Sequence, residues 1–476
     1  MRKRNKRQLF EKLEVVDAGA KGKSVAKAPD GRVVFLTNAI PGDVVDVQTF
    51  KKRKNYFEGK AVHFHSYSDR RTEPVCEHFG SCGGCKWQHM AYDSQLFFKQ
   101  KEVVQHLERI GGVDLPETPP ILGSEKQYYY RNKMEFSFSN KRWLSQEELE
   151  SDLEITDKNA LGFHIPSMWD KILDIKKCHL QPDPSNDIRN GLRDFAHTNG
   201  LTFYDPREHT GLLRTLMIRT ATTGELMVLV QFGEIDPDGH NQVMTYLQET
   251  FPAISSLLYV INTKQNDTIY DQDVRVFAGR DHIFEEMEGL KFKITAKSFY
   301  QTNPEQAYEL YKVARDFADL KGDELVYDLY TGTGTIAQFV AQKAKKVIGI
   351  EAVPEAIADA KVNAENNQIH NTEFFVGDMK KVFTQEFLDT HGIPDVIITD
   401  PPRDGMHKDV VAQILKIAPQ KVVYVSCNSA TQARDLALMD HIYQVSKLQT
   451  VDMFPQTHHV ENVVLLEKRE NPKIEP

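Results

Sequence analysis

The stretch ELVYDLYTGTGTIAQFVAQKA, Glu324 to Ala344, decides the fold. ELVYDLY is an apolar strand, TGTGT a Gly-rich turn and IAQFVAQKA a helix. The alternation then repeats. KKVIGIE is a strand, PEAIADAKVNAENN runs through a helix, and TEFFVGD, DVIITDPP and KVVYVSC are further strands with helices between them. Strands that read as near-continuous apolar runs are buried on both faces, so this region predicts a parallel sheet covered by helices on each side. Ligands bind such sheets at the carboxyl ends of the strands.

Those ends carry acids. Asp328 lies in the first strand, Glu351 closes the second, and Asp378 and Asp400 end the third and fourth. The Gly-rich turn has no P-loop lysine and is not G-x-G-x-x-G. A lone strand-end acid is usually a cap, but four in series point to a ligand rich in hydroxyl and amine donors. The spacing resembles that of S-adenosylmethionine-dependent methyltransferases, whose ribose hydroxyls, adenine amine and sulfonium all suit carboxylate partners.

The next strand ends in a thiol. Cys427 follows KVVYVS and precedes Asn428 and Ser429, which places it at the mouth of the crevice. An isolated cysteine is more often a core residue, yet here the polar turn argues for exposure to a ligand. Beyond it, FPQTHHVENVVLLEK supplies Glu461 before a final strand. His458 and His459 stand nearby as alternative bases or as plain loop residues.

The rest of the chain differs in character. At 476 residues, two or three domains are expected. No apolar run approaches the roughly 20 residues that span a bilayer. MRKRNKRQLF has no apolar segment after its charges, so it does not read as a secretory signal. Five cysteines make no disulfide framework, and a reducing cytoplasm is the expected setting. The net charge of −9 hides an asymmetry: residues 1–71 hold 17 Lys/Arg against 8 Asp/Glu, which leaves −18 for the remainder. A basic module on an acidic body suits nucleic-acid binding, or equally a solubilising arm. Residues 10–66 alternate short apolar runs with turn signals and predict a small barrel. Within it, KKRKNYF (Lys51 to Phe57) offers phosphate contacts and a stacking platform, or a plain solvated hairpin. Residues 92–110 have helical spacing and stop at Gly111-Gly112. The acidic stretch 145–158 reads as an exposed loop, and residues 120–290 yield no assembled pattern.

CEHFGSCGGCKWQH places Cys76, Cys82 and Cys85 in C-x5-C-x2-C spacing. Gly83 and Gly84 permit a tight wrap around one metal, and Cys178 is the only other thiol besides Cys427. Four thiolates suit zinc or an iron–sulfur cluster, and spacing does not choose between them, although it leans slightly to zinc.

Taken together, SFYQTN (Ser298 to Asn303), DLYTGTGT, DPPRDG, VSCNSAT and HHVENVVLL resemble the RNA uracil-5-methyltransferases. With the cysteine cluster these motifs span most of the chain in the family's order. The likeness is greatest to the bacterial 23S ribosomal RNA branch, which has a TRAM domain and an iron–sulfur cluster. The resemblance implies three parts: a basic, OB-like TRAM β-barrel over 1–70, a central α+β cysteine-cluster domain over 71–290, and an α/β Rossmann-like class I methyltransferase domain over 291–476. The 92–110 helix is expected to pack on the last of these. The resemblance makes Cys427 the nucleophile and Glu461 the base. It carries S-adenosylmethionine contacts to Gln301, Tyr330, Thr335, Glu351, Asp378 and Asp400, with Asp400 also near the uracil. It favours a [4Fe–4S] cluster at Cys76, Cys82, Cys85 and Cys178, with a structural or RNA-positioning role. Thr331 departs from the family, where a cysteine is common.

The expected partner is 23S ribosomal RNA bound by a monomer. Transfer RNA is the rival substrate, and a non-catalytic RNA-binding or folding factor is the rival class. Cytosine-5 methylation uses related chemistry in a different motif context. A uracil reached by such a crevice must leave its stack, by base flipping or from a single-stranded loop.

Overall fold

The computed structural model describes residues 7–151 and 155–473. The six residues of the opening basic run, 1–6, and residues 152–154 of the acidic stretch lie outside the described residues. Among the described residues, no helix is long and apolar enough to cross a membrane.

The N-terminal strands Leu9–Ala18, Ser24–Lys27, Val33–Thr37, Val44–Lys52 and Tyr56–Ser66 close into a five-stranded barrel. Alternation along each strand turns Val15, Val34, Leu36, Val45, Val47 and Phe57 into its core. The KKRKNYF expectation is corrected in part by this register. Phe57 is fully buried, with the Arg32 guanidinium 4.1 Å from its ring centroid, so it presents no open face to a base. Lys51 is ion-paired to Glu58 at 2.5 Å.

The helix Tyr92–His106 continues as a wider turn, Leu107–Gly111, and ends at Gly112 with φ 60. It packs against the helix Ser429–Met439. A Cβ at Gly111 would stand 3.2 Å from the Ala433 carbonyl oxygen, so the glycine permits the close approach. The acidic stretch is not all loop: Gln146–Glu150 forms one helical turn, closed by a capping box between Ser145 and Glu148.

Residues 120–290 assemble around a seven-stranded sheet in the order Arg275–Gly279, Ser256–Ile261, Leu226–Phe232, Leu213–Thr220, Lys133–Ser139, Ala160–Ile165, Met168–Asp174. Only Leu226–Phe232 and Ser256–Ile261 run parallel, linked through the helix Pro237–Thr250. One repeated βα signal cannot describe such a mixture, so the sequence pattern is weak here. The hairpin His282–Met287 and Leu290–Thr295 pairs across the expected border at 290. One continuous core runs from Met217, Leu229 and Leu258 through this hairpin to Val326 and Val425. The last two lobes therefore meet without a break.

The C-terminal sheet has the order Thr372–Val376, Lys346–Glu351, Leu325–Leu329, Val396–Thr399, Lys421–Ser426, Glu461–Lys468, Tyr443–Val451. The first five strands are parallel and the last two antiparallel. Val326, Tyr327 and Leu329 of the central strand are fully buried. Each such side chain contributes roughly 1.5–3 kcal/mol relative to exposure.

Candidate active site

The strand order turns around at Leu325–Leu329, and the crevice opens beyond its carboxyl end. The turn after it is held by unusual backbone: Tyr330, Gly332 and Gly334 have φ of 66, 56 and 76. At Gly334 a Cβ would also stand 2.9 Å from the Phe374 ring, so side chains are excluded twice. Gly332 faces open space: a Cβ there would meet nothing within 4 Å.

Carboxylates surround this turn. Asp328 is fully buried. One of its oxygens accepts from the Thr331 hydroxyl at 2.5 Å, and the other, Oδ1, has no partner. Burial pushes Asp328 up to about 7, against the Thr331 bond, with Asp400 and Glu351 adding to the rise. Glu351 accepts from the backbone N–H groups of Gly332 (3.2 Å), Ala352 (2.7 Å) and Val353 (3.1 Å). Asp378 caps the helix Met379–Val382 through the Lys380 N–H. Thr335 begins the helix Thr335–Ala341 and is buried. Gln301 enters from the Ser298–Asn303 segment and is hydrogen-bonded to the buried Tyr311, whose hydroxyl burial holds well above its ordinary range. An orphaned carboxylate oxygen, a turn open at Gly332 and further acceptors fit a ligand bearing several hydroxyl and amine donors.

Cys427 and Glu461 meet through sheet register. In the antiparallel ladder Ser426 faces Asn462, so the next pair outward is Cys427 and Glu461. Burial pushes the Cys427 thiol up to about 11, and the carboxylates of Glu461 and Asp400 add to the effect. Glu461 is held well above the carboxylate range by burial and by Asp400. Burial also raises Asp400, to about 7. Arg403 works the other way: its charge and hydrogen bond favour the Cys427 thiolate, and its charge favours ionised Glu461.

The motif DPPRDG gives Arg403 no role by sequence, and the structure supplies one. Asn428 Nδ2 and the Thr431 hydroxyl donate to the Arg403 carbonyl at 2.9 and 3.1 Å. The turn that carries the thiol therefore fixes the loop that carries the guanidinium. A cation just after two rigid prolines was the available signal. The His458 and His459 rings lie tilted at 35° to each other with centroids 4.2 Å apart. Burial drives them to about 3 and about 4, with neighbouring cations adding to the fall, so both are neutral near pH 7.

A second cavity lies apart from the crevice. Cys76, Cys82, Cys85 and Cys178 line one volume of 610 Å³, together with Arg131, Lys133, Lys177 and His179. Gly84 N–H points at Cys82 Sγ at 3.5 Å. Asn186 clamps Cys178 from both sides, accepting its N–H at 2.8 Å and donating to its carbonyl at 3.2 Å. Burial pushes Cys82 up to about 11 and Cys85 to about 12, and the other thiols of the group add to the rise. The donor set has the soft chemistry of a metal–thiolate site. As the side chains stand, no group of three or more His, Cys, Asp or Glu among the described residues is gathered around a single ion.

A largely parallel sheet with carboxylates at its strand ends and a Gly-rich turn at its switch point has the fold of a class I methyltransferase. The family model described as tRNA (Uracil-5-)-methyltransferase matches residues 271–469, and the TRAM domain model matches residues 10–62. A protein of Bacteroides thetaiotaomicron, described as an uncharacterized RNA methyltransferase, is 58% identical over 94% of this chain and 100% of its own. One of Porphyromonas gingivalis with the same description is 55% identical over 95% and 99%. Among solved structures, the Pyrococcus abyssi tRNA (uracil-54, C5)-methyltransferase, in complex with S-adenosyl-L-homocysteine, has a TM-score of 0.74 at 26% identity, over 95% of this chain and 100% of that one. The chain belongs to the S-adenosylmethionine-dependent RNA uracil-5-methyltransferase family, and its N-terminal barrel is a TRAM domain.

Proposed function

We propose that this enzyme methylates carbon 5 of a specific uridine in 23S ribosomal RNA, through a covalent adduct between Cys427 and carbon 6 of the uracil. The observation that carries the reading is the meeting of Cys427 and Glu461 at adjacent ladder ends, beside Asp400 and the Gly-rich turn. The TRAM barrel over 1–70 binds RNA, the central part over 71–290 carries the thiol site, and residues 291–476 hold the chemistry. The likeness to a tRNA enzyme supports a second reading, in which a transfer RNA is the substrate.

Gln301, Tyr330, Thr335, Glu351, Asp378 and Asp400 would hold S-adenosylmethionine, with Asp328 at the floor of the site. When bound, S-adenosylmethionine supplies the methyl group that carbon 5 takes up. Cys427 makes that carbon reactive: its thiolate adds at carbon 6 and turns the ring into an enolate. Arg403 favours the thiolate. Glu461 then takes the carbon-5 proton, the electron pair reforms the ring double bond, and the Cys427–carbon 6 bond breaks. The mutual repulsion of the pair orders these steps. While Cys427 is a thiolate it opposes ionisation of Glu461. Once its sulfur is a neutral thioether that opposition is gone, Glu461 releases its own proton to solvent, and the resulting carboxylate acts as the base.

The four remaining thiols would hold a [4Fe–4S] cluster, as the family resemblance favours. No electron transfer enters the scheme, so its role is structural or RNA-positioning.

Mapping 5-methyluridine by mass spectrometry in ribosomal and transfer RNA of a deletion strain tests the substrate. Loss of one 23S residue is expected. Loss confined to transfer RNA selects the second reading. Full 5-methyluridine in both RNA pools defeats both readings.

A further inference from the structure

The loop between the last two strands, Asp452 to Val460, leads directly into Glu461, and it is held from outside its own lobe. The N–H groups of Lys86 and Trp87, the two residues after Cys85, both donate to the Gln456 carbonyl, at 2.9 and 3.0 Å. Gln95 completes the clamp: its Oε1 accepts the Gln456 N–H at 3.0 Å, and its Nε2 donates to Gln456 Oε1 at 3.0 Å. The same Nε2 donates to the Trp87 and Met90 carbonyls at 3.1 and 2.8 Å, so one side chain grips both segments. Gln95 is fully buried and Gln456 is 2% exposed. Lys99 adds a buried ion pair to Asp452 at 2.6 Å and donates to the Phe454 carbonyl at 3.1 Å.

This bracing serves a strained backbone. Gln456 has φ 68, left-handed for a residue with a Cβ. Such a conformation persists only where its surroundings over-determine it. Two of the restraining donors sit one and two residues beyond a thiol of the second cavity. If the cluster proposed for that cavity is lost, the Cys85 turn gains freedom, and the loop that delivers Glu461 loses its clamp. The nucleophile Cys427 lies on a different strand end, where Asn428 ties its turn to the Arg403 carbonyl.

We infer that Gln95 and Gln456 are positioning residues that couple the thiol site to the catalytic-base loop, so that an intact thiol site is needed for resolution of the RNA adduct more than for its formation. This rests on the proposed roles of Cys427 and Glu461.

The test compares full-length wild type, Cys85→Ser, Gln95→Ala and Gln95→Glu. Amide hydrogen exchange is followed in 452–460 and, as an internal reference, in 328–335. Faster exchange in 452–460 alone is expected for Cys85→Ser, for Gln95→Ala and for Gln95→Glu, which keeps the acceptor for the Gln456 N–H but sets a buried carboxylate oxygen against three acceptors. With total RNA of a deletion strain as probe, the denaturation-stable adduct should form at the wild-type rate in Gln95→Ala and decay about tenfold more slowly. Unchanged exchange in 452–460, or formation and decay slowed together, overturns the coupling. A Cys85→Ser protein that fails to fold leaves the two Gln95 variants to decide. A wild type that forms no adduct defeats the proposed chemistry instead, while the exchange comparison still judges the clamp.

Discussion

The crevice and the thiol cavity are built in opposite ways. Every acid of the crevice sits at or beside a strand end of one sheet; Asp328, Glu351, Asp378 and Asp400 each mark one βα repeat, while Glu461 opens an antiparallel strand. The thiol cavity takes three cysteines from a glycine-rich loop and the fourth from nearly a hundred residues on, after a strand of a mixed sheet. The first site inherits its geometry from a periodic fold. The second depends on contacts that no local pattern specifies, and on side-chain clamps such as Asn186 on Cys178. A site of the first kind should lose chemistry when a side chain is changed and keep its shape. A site of the second kind should lose its shape.

The largest expected effect breaks the crevice chemically. Cys427→Ala should lower methyl transfer by at least about 10⁴-fold and form no adduct, with the fold intact by circular dichroism. Glu461→Gln should instead accumulate the adduct, seen as a slow-migrating protein–RNA band on a denaturing gel. An adduct in Cys427→Ala would remove the thiol from the mechanism.

Next comes the cavity. Cys178→Ser should abolish the brown thiolate-to-iron absorbance of anaerobically prepared protein and take iron content from about four atoms toward zero. A colourless wild type with stoichiometric zinc would return the site to zinc.

A smaller effect sharpens the electrostatic contrast. Arg403→Gln removes the charge that lowers the Cys427 pKa, so its thiolate fraction at neutral pH falls. The kcat/KM should drop about tenfold near pH 7, and its rise with pH should move about one unit to the alkaline side. An unshifted pH profile would deny Arg403 this role.

The smallest concerns stability. The folded value of Asp328, about 7, lies above its ordinary 3.8, so the folded cofactor-free protein binds this proton more tightly. The stabilisation is fully present below the ordinary value and is lost as pH rises through about 7. Asp328→Asn should therefore melt above wild type by a margin that grows between about pH 4 and about pH 7 and then stays level, by scanning calorimetry. A margin independent of pH would show that the buried carboxyl does not titrate in this range.

The sequence by itself determined the sheet of the C-terminal lobe, the small barrel, the helix over 92–110 and the candidates of both sites. It could do so because burial on two faces leaves apolar runs, alternation marks a barrel strand, and a ligand crevice follows from strand ends. Family resemblance, not spacing, assigned the roles of Cys427 and Glu461. Tertiary structure alone decided that the antiparallel register sets these two residues side by side, because their sequence separation carries no distance. It decided that Phe57 is core and not platform, since one position along a barrel strand reverses the facing of a side chain. It also decided that Arg403 stands beside the thiol and that Gln95 reaches Gln456, 361 residues away. A lone arginine or glutamine shows no period, and only packing gives it a partner.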